Sequence, residues 1–312
     1  MPKFNTIAVV GIGLIGASLA AAFKKSDANL KILAVDKDKY TIKKAEDLKI
    51  IDQGFLEIKD NLKEADLIFV AVPVSKITDV IKEIDQGSSA DQLIVDAGST
   101  KKEVLLKAQL LLKNSSKNFI GAHPMAGSHK SGIDWHDPEL FRGAPFILTP
   151  VLEDFSDSSD SAKNTFLNKE SEIIDNLGAK EKEELTALKE LIENIGARTY
   201  IISAEEHDRC TALVSHLPHL LSSALVNMLN LEEDNTNMLK LSGSGFRDMT
   251  RIAGSSPELW QDIILSNNKN IIDLIEKYIG ELEELKTKLE NNDQQKIFKF
   301  LAEAAELKKE IE

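Results

Sequence analysis

The sequence predicts an α/β chain: an N-terminal domain built on a parallel sheet, followed by an all-α C-terminal domain. Three observations predict it. Short apolar runs alternate with helical patterns as far as Ser203, a glycine-rich turn joins the first run to the first helix, and no strand-like run occurs after Ser203. Continuous apolar strands alternating with helices are the mark of βαβ units whose sheet is covered on both faces. In order, TIAVVGIG reads as a strand and LIGASLAAAFKKS as a helix. KILAVD with DKYTIKKAEDLK, DLIFVAVP with SKITDVIKEI, and QLIVDAGS with TKKEVLLKAQLLLK repeat the pair. FIGAHP is a further strand, and PFILTP (145–150) and RTYIIS (198–203) are additional ones, the last preceded by a helix over 181–196. The serine-rich, acidic VLEDFSDSSDSAKNTFLNKESE between them is expected to be a mobile surface insertion. The boundary falls near Ser203, giving domains 1–202 and 203–312. In the second domain Ile271, Ile275, Tyr278, Ile279, Leu282, Leu285 and Leu289 step by threes and fours along one helix, a stripe that packs within the domain or against a second copy.

Composition narrows the function. The chain has 312 residues, 42% hydrophobic and 29% charged, as in ordinary globular proteins. A net charge of −13 leaves no basic surplus to displace counterions, so a general nucleic-acid partner is not expected. A small anion needs only a few cations placed locally. Cys210 is the single cysteine, which excludes an intrachain disulfide and fits a reducing cytoplasm. The N-terminus leads directly into a motif without signal-peptide organisation, and the apolar run LIFVAVPV (67–74) is too short to span a bilayer, so no membrane partner is expected.

GIGLIG places Gly11, Gly13 and Gly16 in G-x-G-x-x-G spacing, after a strand and opening a helix, the context that a Rossmann-type dinucleotide site requires. Gly11 makes the tight turn, and Gly13, with Leu14 and Ile15, lets the backbone approach a pyrophosphate. Gly16 lets helix and strand pack closely. Asp36, twenty residues on, suits the ribose hydroxyls and repels a 2′-phosphate, so NAD is expected; Lys37 beside it keeps NADP open. AVPVS, with Val72 and Pro73, and DAGSTK, with Ser99, lie at the carboxyl ends of strands, where such sheets bind ligands. Ser99 reads equally as a helix N-cap or a ligand contact.

GAHPMAGSHKSG (121–132) carries too much glycine and proline for a regular element. Its His123 stands just beyond a strand, on the ligand side, where an imidazole could accept a proton from a hydroxyl being oxidised. Pro124 restricts the backbone of His123 to an extended form, and Ser99 or a backbone group could fix its tautomer.

HPMAG, preceded by DAGSTK and followed by LFRGAPFILTP, resembles the prephenate/arogenate dehydrogenase family. EEHDRCTALVSHLPHLLSSALV (205–226) and GSGFRDMTRIAGSSPELWQDI (243–263) match that family's other signatures, in order. The resemblance implies oxidative decarboxylation of prephenate or arogenate with NAD on the route to tyrosine, and a homodimer through the C-terminal helices. It assigns His123 as the catalytic histidine and Ser99 as the serine that positions it and the nicotinamide. His219 becomes a substrate contact, Arg251 the holder of a substrate carboxylate, and Arg247 a basic group presented from the partner subunit. Ser128 and His129 join the expected substrate contacts. His129 stands where many relatives carry an acidic residue, and an imidazole there suits the keto acid prephenate better than the ammonium of arogenate.

The residues fit this chemistry independently. Prephenate has two carboxylates, and a guanidinium fork binds carboxylate bidentately. Arg247 and Arg251, four apart, would share a helix face. His216 and His219, three apart, could also suggest a metal, but no third ligand lies at suitable spacing and hydride transfer needs none. Asp208 either holds a helix start or orients a neighbour. The rival readings are a dinucleotide-sensing regulator without turnover and a β-hydroxy-acid dehydrogenase. The first would lack the proton acceptor or the carboxylate anchors; the second would carry a lysine on the helical domain.

Overall fold

A computed structural model describes residues 4–87, 91–127, 130–151, 170–232 and 234–311. The predicted alternation is present. Strands β1 (Thr6–Val10), β2 (Lys31–Val35), β3 (Gln53–Phe55), β4 (Leu67–Val70), β5 (Leu93–Asp96), β6 (Asn118–Pro124), β7 (Pro145–Pro150) and β8 (Arg198–Ile201) form one sheet in the order β3-β2-β1-β4-β5-β6-β7-β8. Helices α1 (Leu14–Ser26), α2 (Lys39–Asp47), α3 (Val74–Gly87) and α4 (Lys102–Leu112) connect the early strands, and α5 (Glu170–Asp175) and α6 (Ala179–Asn194) precede β8. Strands β1, β4 and β5 are buried almost throughout, because helices cover both faces; two apolar cores result, one on each side.

Three expectations need correction. The sheet is not wholly parallel: β7 runs antiparallel to β6, with His123 opposite Ile147. The 20 residues between Pro124 and Pro145 form no crossover helix among those described, and the chain returns antiparallel. Strand β3 escapes the apolar pattern because its three residues, QGF, are exposed or half-buried at the sheet edge. The insertion read over 151–172 is shorter than expected at its far end: Glu170–Asp175 is helical, and Ile173 is fully buried in the core. Residues 152–169 lie outside the described residues.

Beyond β8 the described chain is helical. Ser203 caps α7 (Ala204–Thr211) by accepting from the Glu206 amide at 3.1 Å. A π-helical turn over Ala212–His216 leads into α8 (Leu217–Asn227). Pro218 has no N–H to give to the preceding turn, and the helix widens just before it. Then follow α9 (Thr236–Leu241), α10 (Ser244–Thr250), α11 (Pro257–Ser266), α12 (Asn268–Glu290) and α13 (Gln294–Ile311). Two hydrogen bonds tie α11 to the start of α3 and the β5–α4 loop, at the carboxyl edge of the sheet: Ser75 Oγ to Asp262 Oδ2 at 2.5 Å and Thr100 Oγ1 to Ser266 Oγ at 2.9 Å.

Candidate active site

The strand order reverses between β1 and β4, and the glycine loop lies at that switch point. Gly11 has φ +90°, and a Cβ on it would stand 2.5 Å from the Ala71 carbonyl oxygen. A Cβ on Gly16 would stand 1.9 Å from the carbonyl oxygen of Gly11. Gly13 faces open space, and no side chain caps α1, so the amides of Leu14, Ile15 and Gly16 are left for an anion. Asp36 receives the Ile12 amide on Oδ2 at 2.8 Å and the Asp38 amide on Oδ1 at 2.9 Å. The carboxylate is thereby fixed beside the loop, and each oxygen keeps a lone pair for a ribose hydroxyl. Val72, half-buried, and Pro73, exposed, border the same edge. These residues fit a dinucleotide.

His123 lies inside β6, not beyond it. Its Nδ1 is 2.8 Å from Nε2 of His207, whose Nδ1 is 2.8 Å from Oδ1 of Asp208. Asp208 also accepts the amides of Lys101 (2.8 Å) and Lys102 (2.9 Å), so a carboxylate from α7 caps α4. The choice posed for Asp208 has a double answer: it holds a helix start, that of α4, and it orients His207. Ser99 does not cap α4, and among the described residues no hydrogen bond joins it to His123. It stands half-buried in the middle of the β5–α4 loop.

Beneath the imidazoles lies a fully buried ion pair, Lys101 with Asp96. Lys101 Nζ donates to the Ala122 carbonyl at 2.6 Å, and Asp96 Oδ1 accepts the Ala122 amide at 3.2 Å. Both polar groups of the residue before His123 are therefore held. Burial pushes Asp96 up and Lys101 down, and each partner's charge opposes the other's shift. Burial also drives His123 well below the usual histidine value, with His207, Lys101 and His216 adding to the effect. His123 is accordingly neutral and able to accept a proton near neutral pH.

His216, 1% exposed, accepts from Asn267 Nδ2 at 3.1 Å, and burial lowers it to about 4. His219, 5% exposed, stacks on Trp260 with ring centroids 3.6 Å apart. Its Nε2 is buried without a hydrogen-bond partner, beside a cavity of about 380 Å³ lined by His219, Ser223, Ser255, Trp260 and Gln261. An orphaned ring nitrogen at a cavity wall is what a ligand-contacting histidine leaves when its ligand is removed.

The two arginines are placed differently from the sequence expectation. Helix α10 ends at Thr250, so Arg247 is helical while Arg251 opens a 3-10 turn that packs on α8. Both are exposed, and neither carries a side-chain partner among the described residues. Ser128 and His129 lie outside the described residues. Sequence reading passed over His207, Lys101, Asp96, Asn267 and Trp260 as parts of the site. The first three sit within quoted motifs, EEHDRC and DAGSTK, and their burial was the missing signal.

Comparison with known proteins gives the family. A family model for the prephenate dehydrogenase nucleotide-binding domain matches residues 19–175, and one for the prephenate dehydrogenase dimerization domain matches 203–303. This chain belongs to the prephenate dehydrogenase family. A family member from Bacillus subtilis, named prephenate dehydrogenase, is 33% identical over 96% of this chain and 74% of its own. A cyclohexadienyl dehydrogenase from Zymomonas mobilis is 32% identical over 94% and 91%. The crystal structure of Aquifex aeolicus prephenate dehydrogenase with hydroxyphenyl propionate and NAD+ superposes with a TM-score of 0.84 at 29% identity, covering 99% of this chain and 98% of that one. Arogenate dehydrogenase from Synechocystis gives a TM-score of 0.78 at 27% identity, covering 98% and 100%.

Proposed function

We propose that this chain is an NAD-dependent prephenate dehydrogenase, oxidising prephenate to 4-hydroxyphenylpyruvate with loss of CO2. The observation that carries the reading is His123: an imidazole held neutral at the carboxyl edge of the sheet that also carries the dinucleotide loop, hydrogen-bonded to His207 of the helical half. The bound nicotinamide supplies the hydride acceptor. Gly11, Gly13, Leu14, Ile15, Gly16, Asp36, Val72, Pro73 and Ser99 hold the cofactor. His123 takes the proton of the 4-hydroxyl as its carbon loses hydride and returns it to the phenolic oxygen once the ring carboxylate has left as CO2, so no net proton is consumed. His219 and Arg251 hold the substrate, and Arg247 reaches it from a partner subunit. A carboxylate gripped too firmly would resist leaving as neutral CO2, so Arg251 serves mainly the side-chain carboxylate.

His129 favours prephenate over arogenate, because an imidazole lacks the negative charge that an acidic residue would offer an ammonium. Kinetics at 340 nm with NAD and each substrate test the reading: turnover of prephenate with a higher kcat/KM than arogenate is expected. The opposite order makes the chain an arogenate or cyclohexadienyl dehydrogenase, and no turnover of either supports a dinucleotide-sensing protein.

We further infer a homodimer in the cytoplasm. Tyr278, Ile279, Leu282 and Leu289 of α12 are exposed in the single chain, and a second copy would cover them. The helical stretch Ala204–Leu231 is long and apolar enough by length and composition to cross a membrane. It also carries His207, Asp208, Thr211, His216, His219 and Ser222 buried, and we read it as a site-forming helix.

A further inference from the structure

We propose that His207 and Asp208 are positioning residues that set the tautomer of His123, so that Nε2 of His123 is its proton acceptor. The inference rests on the assignment of His123 to the chemistry but adds residues beyond it. It follows from counting donors. Asp208 receives the Lys101 amide and His207 Nδ1 on Oδ1, and the Lys102 amide on Oδ2, so the carboxylate acts as acceptor at every contact. Nδ1 of His207 must therefore carry a hydrogen. His207 is fully buried, and burial lowers its pKa, so its ring is neutral and its Nε2 offers a lone pair. The 2.8 Å contact with His123 then requires Nδ1–H on His123, which leaves Nε2 as a lone pair.

The same row stabilises the charge that appears when His123 takes a proton. The imidazolium keeps its Nδ1–H on His207, and the Asp208 carboxylate stands behind. The row is rigid, because Asp208 is pinned by two amides of α4 and the Ala122 peptide by the Lys101–Asp96 pair. Lys101 belongs to both supports, its amide to Asp208 and its ammonium to Ala122, so α7 and β6 are referenced to one residue.

Nitrogen-15 NMR of histidine-labelled protein without substrate reads the tautomer directly, with His123→Asn giving the assignment. The expected spectrum has Nδ1 of His123 protonated and Nε2 unprotonated. The kinetic arm uses His207→Leu and His207→Gln. Glutamine can accept from His123 with its oxygen and donate to Asp208 with its nitrogen; leucine can do neither. Leucine should lower kcat at least about 10-fold with KM for prephenate nearly unchanged, and glutamine should recover most of it. A His123 ring protonated on Nε2 overturns the proposal whatever the activity, as do equal losses in the two variants or a leucine variant with parental kcat. If His207→Leu fails to fold, the glutamine variant and the spectrum still decide. Failure of the parent to oxidise prephenate would remove the proposed function while leaving the tautomer measurement standing.

Discussion

Asn267 donates through Nδ2 to the Asp208 carbonyl at 2.7 Å, an acceptor that fixes the amide's orientation, and the same nitrogen faces Nδ1 of His216. Burial, with His207 and His219 adding to it, lowers His216 to about 4. The consequence for stability has a definite sign. Between the ordinary value of 6.5 and the folded value of about 4, the unfolded chain binds the proton and the folded chain does not. Stability is complete above that window and declines as pH falls through it, by about 2 kcal/mol at pH 5 for His216 alone. Thermal melts at about pH 7.5 and pH 5 should show His216→Gln losing less melting temperature between them than the parent; an equal loss contradicts the assignment. For chemistry, His123→Asn should lower kcat by about 10²- to 10⁴-fold with little change in KM, the size of a lost general base. Arg251→Ala should act the other way, raising KM for prephenate about 10- to 100-fold, the size of a charge-assisted hydrogen bond, with a smaller effect on kcat.

The glycine loop shows that one motif holds three different constraints. Gly16 is a packing position, since its Cβ would meet the Gly11 carbonyl at 1.9 Å, and Gly11 is a conformational one at φ +90°. Gly13 is neither, because nothing stands within 4 Å. Gly16→Ala should therefore destabilise the apoprotein by about 2 kcal/mol or more, as overpacking against backbone does. Gly13→Ala should leave the melting temperature of the apoprotein unchanged and weaken NAD binding, because the methyl group would occupy the space the pyrophosphate approaches. Calorimetric titration with NAD and melts without it separate the two. The π turn before α8 is the other element with a local cause. It ends at His216, and His216 and His219, three residues apart, share a buried face toward Asn267 and Trp260.

At the scale of the molecule, the site is built where two halves of the chain meet. Strand β6 supplies His123, the β5–α4 loop supplies Lys101 and Ser99, and the helical half supplies His207, Asp208, His216 and His219. The contacts of Ser75 with Asp262 and Thr100 with Ser266 set their spacing. In α12 only Ile271 of the predicted stripe is fully buried, while four of its apolar residues stand exposed in the single chain. Of the two fates open to the stripe, the dimer is the one that would cover them. Tyr278→Glu with Leu282→Glu should shift the protein to a monomer in sedimentation velocity, because charged groups at the centre of an apolar seam are not solvated. If Arg247 reaches the site from the partner, the monomer should also lose prephenate affinity.

Seven of the eight strands, their alternation with helices, the dinucleotide loop and His123 as a candidate were legible in the residues. Each is set by local rules: continuous apolar runs, glycine spacing, and a proline that fixes its neighbour. The antiparallel turn of β7 was not legible, since strand direction depends on where the chain re-enters the sheet. The His207–Asp208 row escaped for a related reason. Its hydrogen bonds span 84 residues to His123 and more than 100 to the start of α4, and only folding reveals which donors remain buried with a single possible acceptor. The sequence by itself determined which groups were candidates for the chemistry; the tertiary structure decided that His123 meets His207 through Nδ1, because a tautomer is set by neighbours that the chain order keeps far apart.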